Sequence, residues 1–375
     1  MNQETVIWEN GEEAGRILRS LYSSYGYTQY KMNKFEEYEL YVRNKDFLIS
    51  DAVITFTDTN GRLLALKPDV TLSIIKNYRG EEGIVQKTYY NENVYRVSAG
   101  SRSFKEIMQV GIECMGAVDR FCIFEVLSLA ANSLKILSSD SVLDLSHFGM
   151  LSRLISSLGI SGEAKRAVLA SVGEKNSHEL RSTLQKEGVD RERIAVLEQM
   201  IALSGKPSDI LPDLKELLSG EEFASDLSQL EELCKALDNA GYGDMIRLDF
   251  SVVDDVEYYN GIVFKGFIKG IPERVLSGGQ YDGLMKKMNR EARAIGFAVY
   301  MDLLEEISRE RGEYDGDVLL IYDESISVDL VRGISEKLRK EGRTVSAQKS
   351  VPQKMSFRAI YRITESGELT IEGNA

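Results

Sequence analysis

The sequence predicts an α+β fold, a mostly antiparallel sheet flanked by helices, on three observations. Residues 87–116, KTYYNENVYRVSAGSRSFKEIMQVGIECMG, read as two long antiparallel strands. Their joining loop, 97–103, is short and polar and holds the turn formers Ser98, Gly100 and Ser101. In ITFTDTNGRLLALK, Asn60-Gly61 stands between two apolar runs, the strongest hairpin signal in the chain. Residues 161–240 break this strand character. Leu, Glu, Lys, Ser and Ala dominate there, and short helical segments follow one another between Gly188, Gly205-Lys206-Pro207 and Ser219-Gly220. That block predicts an all-helical insertion.

Taken in order, Asn10 and Glu13 mark a helix start, with Ala14, Ile17, Leu18, Leu21, Tyr22 and Tyr25 at helical spacing up to a stop at Gly26. Pro68 opens a second helix through DVTLSIIKNY. Asp69 there reads either as a helix-start residue or as part of a site. In the long hairpin, alternation puts Gln109, Gly111 and Glu113 on one face and Met108, Val110, Ile112 and Cys114 on the other. The second set is core. The first is compatible with a half-solvated sheet face or with the floor of a small polar pocket, to which Arg96 could bring a cation.

DRFCIFEVLSLAANSLKIL follows as a buried helix whose stripe is Phe121, Phe124, Leu127, Ala131 and Leu134. VLDLS is a strand, FGMLSRLISSL a helix, and His147 at their junction reads as a satisfied structural histidine. After the insertion come MIRLDF, a long strand EYYNGIVFKGFI, the turn-rich LSGGQYDGLM, and ARAIGFAVYMDLLEEIS, a strand running into an amphipathic helix. Gly278-Gly279 allows a close approach to the backbone but lacks the spacing and Lys of a phosphate loop. Residues 312–375 read as strand, helix and three short strands, a small C-terminal α/β domain. The expected division is 1–160 with 241–311 as the main body, 161–240 as the insertion and 312–375 as the last domain.

Composition narrows the function. The chain has 375 residues, 43% hydrophobic and 28% charged, with a formal net charge of −13, which weighs against a broad nucleic-acid surface. The start, MNQETVIWENGEE, lacks the pattern of a signal peptide, and no apolar run is long enough for a membrane span. Three cysteines without CxxC spacing (Cys114, Cys122, Cys234) lie inside apolar patterns, so reduced thiols and a cytoplasmic location are expected. With two histidines, His147 and His178, a His-rich metal site or a His-based triad has little to build on.

Five segments in order carry a resemblance across about 270 residues. LKPDVT is similar to the LRPEGT segment of the class II histidyl-tRNA synthetases, and NENVYRVSAGSRSFKEIMQVGIE to their motif 2. EYYNGIVF is similar to their DYYTGTVFE, SGGQYDGL to GGRYDGL, and AIGFAVYMDLL to motif 3, AIGFAIGLERL. The resemblance implies a class II synthetase-like core. It also places a histidine site on Asp69, Thr71, Arg96, Gln109, Glu113, Tyr258 and Tyr259, with Gly111, Gly278 and Gly279 as pocket backbone.

The departures from that family are chemical. Its motif 3 arginine, which binds ATP phosphates, falls at Leu303, and the arginine that assists activation falls at Asp254. Motif 2 lacks its carboxylate in Tyr95-Arg96-Val97-Ser98, the motif 1 proline gives way to Asn33, and the C-terminal region is short. Losing two cations removes electrostatic support for adenylate chemistry. With Asp69 in PD-x-T, the chain resembles the synthetase-like regulatory subunits of ATP phosphoribosyltransferase. That resemblance implies a non-catalytic histidine-binding protein, dimeric within a hetero-oligomer with a short-form catalytic subunit, in the first step of histidine biosynthesis. No cofactor, metal or membrane is expected, nor tRNA as a partner. A divergent histidyl-tRNA synthetase and a class II-like adenylate-forming amide ligase are the alternatives.

Overall fold

The computed structural model describes residues 11–44, 48, 53–97, 103–253, 259–304, 314–353, 355–364 and 366–373. The chain divides into two compact units between Glu305 and Glu306.

The first unit opens with α1 (Gly11–Ser24), β1 (Thr28–Gln29), β2 (Phe35–Glu37), α2 (Tyr38–Arg43), β3 (Thr55–Thr57), β4 (Leu63–Leu66) and α3 (Thr71–Lys76). The Asn60-Gly61 turn joins β3 to β4. Gly61 has φ +79°, and the Asp58 carboxylate accepts from the Asn60 and Arg62 N–H groups at 2.8 Å each. That hairpin is completed by β2 into a separate three-stranded antiparallel sheet.

The long hairpin is β5 (Val85–Val97) and β6 (Phe104–Gly116), in unbroken antiparallel register from Val85↔Gly116 to Val97↔Phe104. Then come α4 (Arg120–Leu137), β7 (Ser141–His147) and α5 (Phe148–Ser157). Within 161–240 lie α6 (Gly162–Gly173), α7 (Ser177–Lys186), α8 (Arg191–Ala202), β8 (Ser204–Gly205), α9 (Pro207–Leu217) and α10 (Glu221–Asn239). The unit ends with β9 (Ile246–Asp249), β10 (Ile262–Ile268), β11 (Leu276–Gln280), α11 (Asp282–Lys287) and β12 (Arg293–Tyr300).

Nine strands form the main sheet, in the order β1-β5-β6-β12-β11-β10-β7-β9-β8. β1 with β5 and β7 with β9 are parallel pairs, and every other neighbour is antiparallel. The mostly antiparallel sheet flanked by helices is therefore present, in an α+β arrangement.

One sheet face packs on α1 and α4. Tyr22 of α1 lies edge-on to Phe297 of β12 with centroids 5.8 Å apart, and its hydroxyl meets Ser133 of α4 at 2.9 Å. Gly266 of β10 admits Leu134 of α4, whose δ carbons would stand 2.7 Å from any Cβ placed there. The apolar stripe read along α4 holds at Leu127, Ala131 and Leu134, all fully buried, but not at its start. Phe121 is 63% exposed and Phe124 half-buried. Inward-facing Cys122, Ile123 and Val126 take the place of those two rings.

His147 ends β7 and caps α5. Its Nδ1 accepts the Met150 N–H at 3.3 Å, its other ring nitrogen lies 3.8 Å from Asp226 of α10, and burial lowers its pKa. His178 is exposed.

The second unit, taken by itself, holds β13 (Gly316–Ile321), α12 (Val328–Lys340), β14 (Val345–Gln348), β15 (Phe357–Ile363) and β16 (Leu369–Gly373). Its sheet order is β14-β13-β15-β16, parallel except for the last pair. Val318, Leu320, Ile326, Leu338 and Ile363 form its core with α12. Among the described residues no helix is long and apolar enough to cross a membrane.

The Leu134–Gly266 contact is where α4 is keyed into the sheet. Leu134→Ala should lower unfolding free energy by about 2–5 kcal/mol, read as a drop in urea midpoint at unchanged m-value.

Candidate functional site

The second face of the main sheet carries the polar residues. The register places Thr88, Glu113, Gly296 and Gly279 side by side across β5, β6, β12 and β11, and in the next row Tyr90, Gly111, Ala298 and Ser277. Gln109 stands one row further on, between Glu92 and Tyr300. This face is not half-solvated: Glu113 is 2% and Gln109 4% exposed.

Glu113 is the centre. Thr71 Oγ1, in the first turn of α3, donates to it at 2.7 Å, and the Tyr281 hydroxyl donates to its other oxygen. Gly296 makes this possible, because a Cβ there would fall 1.9 Å from Glu113 Oε2. Burial pushes the Glu113 carboxyl up to about 8. The two hydrogen bonds work against that rise and the nearby Asp69 charge adds to it. Near neutral pH this carboxyl is therefore mostly protonated.

Asp69 precedes α3, which starts at Thr71 rather than at Pro68. Its carboxylate accepts the Leu72 N–H at 2.8 Å, so it does serve as a helix-start residue. Burial raises its pKa, against the Leu72 hydrogen bond and the Arg96 charge. Arg96, half-buried near the end of β5, donates from Nε to the Pro68 carbonyl at 3.1 Å, which brings its guanidinium to the segment that holds Asp69. Tyr259 lies with its ring against Gly279, 2.7 Å from where a Cβ would be. Asp69, Thr71, Arg96, Gln109, Glu113 and Tyr259 thus belong to one face and the helix start above it. Tyr258 and Asp254 lie outside the described residues.

Two glycine readings need correction. Gly111 is not open pocket backbone: the Tyr90 ring fills the space over it, with its hydroxyl 2.4 Å from a Cβ position and the Phe297 carbonyl at 2.3 Å. Gly278 points to the other face, against Phe264 and Phe297, so it backs the core with α1 and α4 and not the pocket.

Sequence reasoning also missed residues. Tyr281 and Gly296 sit inside quoted motifs, but their partner Glu113 is far away in the chain. Tyr90 was legible in principle, since the hairpin register sets it opposite Gly111. Lys67, 1% exposed, pairs with Glu92 at 2.5 Å at the edge of the same face. Leu303, half-buried, offers no cation. A separate cavity of about 680 Å³ surrounds Gly116, Arg290 and Arg293 at the far end of β6 and includes none of the candidate residues. Among the described residues no cluster of His, Cys, Asp and Glu could hold a metal ion.

A model of the family described as histidyl-tRNA synthetase matches residues 7–304. The chain belongs to that family. Within it, the chain is similar to an ATP phosphoribosyltransferase regulatory subunit of Bacillus cereus (strain ATCC 10987 / NRS 248). The two are 26% identical over 345 residues, 89% of this chain and 81% of the relative. A regulatory subunit of the same description from Bacillus mycoides (strain KBAB4) is 26% identical over 310 residues, 80% of this chain and 73% of the relative.

Among solved structures, an ATP phosphoribosyltransferase regulatory subunit/histidyl-tRNA synthetase from Bacillus halodurans C superposes with TM-score 0.72 at 23% identity, covering 90% of this chain and 88% of that one. The histidyl-tRNA synthetase of Nostoc sp. PCC 7120 gives TM-score 0.72 at 18% identity, with coverage of 96% and 92%. A chain of the ATP phosphoribosyl transferase (HisG:HisZ) complex from Thermotoga maritima gives 0.60 at 19%, with coverage of 77% and 96%. These likenesses establish the class II synthetase-like fold.

Because the folded-state pKa of Glu113 lies above its ordinary 4.5, its contribution to stability is complete below pH 4.5 and is lost as pH rises to about 8. Urea midpoints at pH 5 and pH 8 should fall further for the wild type than for Glu113→Gln, by at most on the order of 5 kcal/mol in unfolding free energy.

Proposed function

We propose that this chain is a non-catalytic regulatory subunit that binds histidine on the Glu113 face and controls a short-form ATP phosphoribosyltransferase. One observation carries the reading: the buried Glu113 carboxyl is held by Thr71 and Tyr281, while the position where the resemblance places a phosphate-binding arginine is the apolar Leu303. The regulatory-subunit relatives and the HisG:HisZ neighbour support the same assignment.

Physically, the site accepts a small zwitterion with a basic ring. Arg96 takes the ligand carboxylate. Glu113 and Asp69 accept from the ammonium or an imidazole N–H, and Gln109, Thr71 and Tyr259, with Tyr258, fix orientation. A cation arriving next to Glu113 ionises it, so binding near neutral pH releases a proton.

Adenylate formation would need cations that Leu303 and Asp254 do not supply, each such contact being worth roughly 1.5–3 kcal/mol. What remains is a difference in stability between liganded and free forms. Such a difference acts only through a partner, with a coupling of roughly 1–3 kcal/mol that must be reciprocal. On this reading 1–160 with 241–311 is the core, 161–240 an insertion and 312–375 the C-terminal domain, in a dimer within a cytoplasmic hetero-oligomer.

The deciding experiment mixes this protein with the short-form catalytic subunit of the same organism. Phosphoribosyl transfer should rise on mixing and fall again as histidine is added, and the two should co-elute at micromolar concentration. An unchanged rate without co-elution would overturn the assignment, as would histidine-dependent pyrophosphate exchange by this chain alone. Calorimetry at pH 7 in two buffers of different ionisation enthalpy should show proton release with histidine. Glu113→Ala should weaken binding by roughly tenfold or more, the cost of about 1.4 kcal/mol or above.

A further inference from the structure

The cavity at the far end of β6 carries charge that the Glu113 face does not use. Its volume of about 680 Å³ lies within the range of small-molecule sites. Its walls are the last turn of α11, the turn into β12 and the end of β6 at Gly116. Three cations line it, Lys286, Arg290 and Arg293, with two carboxylates, Asp282 and Glu291. The chain itself gathers the cations. Asn289 takes φ +56°, the left-handed position that closes α11. Its N–H reaches the Lys286 carbonyl at 3.0 Å, and the Arg290 N–H reaches the Met285 carbonyl at 2.9 Å. That closure reverses the chain and brings Arg290, then Arg293 at the start of β12, back beside Lys286.

The two carboxylates do not neutralise the three cations. Asp282 is engaged by the fold: it accepts the Ala294 N–H at 2.8 Å, the Asn260 amide at 3.3 Å and Arg293 Nε at 3.5 Å. Arg293 is thereby paired, and its Nη1 donates to the Val118 carbonyl at 2.9 Å. Glu291 is exposed to water. Neither Lys286 nor Arg290 has a carboxylate partner among the described residues. Arg290 is anchored by its Nη2, which donates to the Lys76 carbonyl at the end of α3 at 3.0 Å, while its Nε is buried without an acceptor. A half-buried guanidinium held by a neutral carbonyl keeps its charge, and most of its donors, uncompensated.

We infer that this cavity is a binding site for a small anion of the phosphate class that carries more than one negative charge, held by Arg290 and Lys286 with Arg293 beside them. A dianion balances the two cations that the fold leaves without a carboxylate. The donors come from three points of the chain, a guanidinium fork and an ammonium point charge among them, which suits the tetrahedral oxygens of a phosphate better than the planar pair of a carboxylate. The site goes beyond the histidine reading and stands apart from it, since none of its lining residues belongs to the Glu113 face.

The test titrates the full-length protein by calorimetry with inorganic pyrophosphate, fructose 1,6-bisphosphate and citrate, at constant ionic strength and without divalent metal. Pyrophosphate or the bisphosphate should bind saturably, more tightly than citrate, and more weakly as sodium chloride is raised. Which of the two phosphates binds more tightly tells a free diphosphate from phosphates carried on an organic body. Arg290→Ala should weaken that binding by roughly tenfold or more. Lys286→Glu, a charge reversal at an exposed side chain, should weaken it at least as much. If Arg290→Ala does not fold, Lys286→Glu decides. No saturable heat from either phosphate up to about 10 mM, citrate binding as tightly as both, or an affinity unchanged in Lys286→Glu would overturn the inference. None of these readouts involves histidine or a catalytic partner.

Discussion

The protonation state of one buried carboxyl sets the character of the polar face. Glu113 lies flat on the sheet because Gly296 gives it the space, and it stays there because Thr71 and Tyr281 reach it from two different elements. A charged carboxylate with no cation beside it is costly to bury, and hydrogen bonds from neutral hydroxyls offset only part of that cost. Burial therefore leaves this carboxyl with its pKa raised to about 8. The site is a place where an incoming positive group is worth more than the same group would be in water, and where α3 and the start of α11 are joined through one pair of oxygens.

The surrounding glycines follow one rule. Across the strands each missing Cβ admits a ring or a carboxylate: Tyr90 over Gly111, Glu113 over Gly296, Tyr259 over Gly279. Three polar side chains can then lie in the plane of the sheet surface, where ordinary strand residues would hold them away from it. The small side chains Ala298 and Ser277 complete that row beside Gly111.

How much of this was legible depended on how local the signal was. The β5–β6 hairpin declared itself through period-2 alternation around a polar loop, and the Asn60-Gly61 turn through its required positive φ. The grouping of Gln109 with Glu113 followed from the same alternation. What the alternation could not say is what lies above a strand. Gly111 counts as pocket backbone in the sequence because the ring that fills the space over it comes from the neighbouring strand. Gly278 and Gly279 were read together although adjacent residues face opposite ways. Phe121 was assigned to the core stripe of α4 by spacing alone, whereas the first turn of that helix turns Cys122 and Ile123 inward instead. Tyr281 belongs to a recognisable segment, but only the tertiary fold brings it to Glu113.

The borders of the main sheet have a further meaning. Its two outermost strands, β1 and β8, are two residues long. The long flank of β5 that β1 leaves open is used by passing chain, through Tyr30 N–H to Tyr89 carbonyl and Tyr95 N–H to Lys67 carbonyl, each 2.8 Å. Such a rim offers an arriving polypeptide few backbone groups to extend, which protects the sheet from edge-to-edge stacking. A chain that met the borders of the main sheet would find side-chain surfaces there, and little strand edge to anneal to. Contacts of that kind can be made and released without rewriting the sheet.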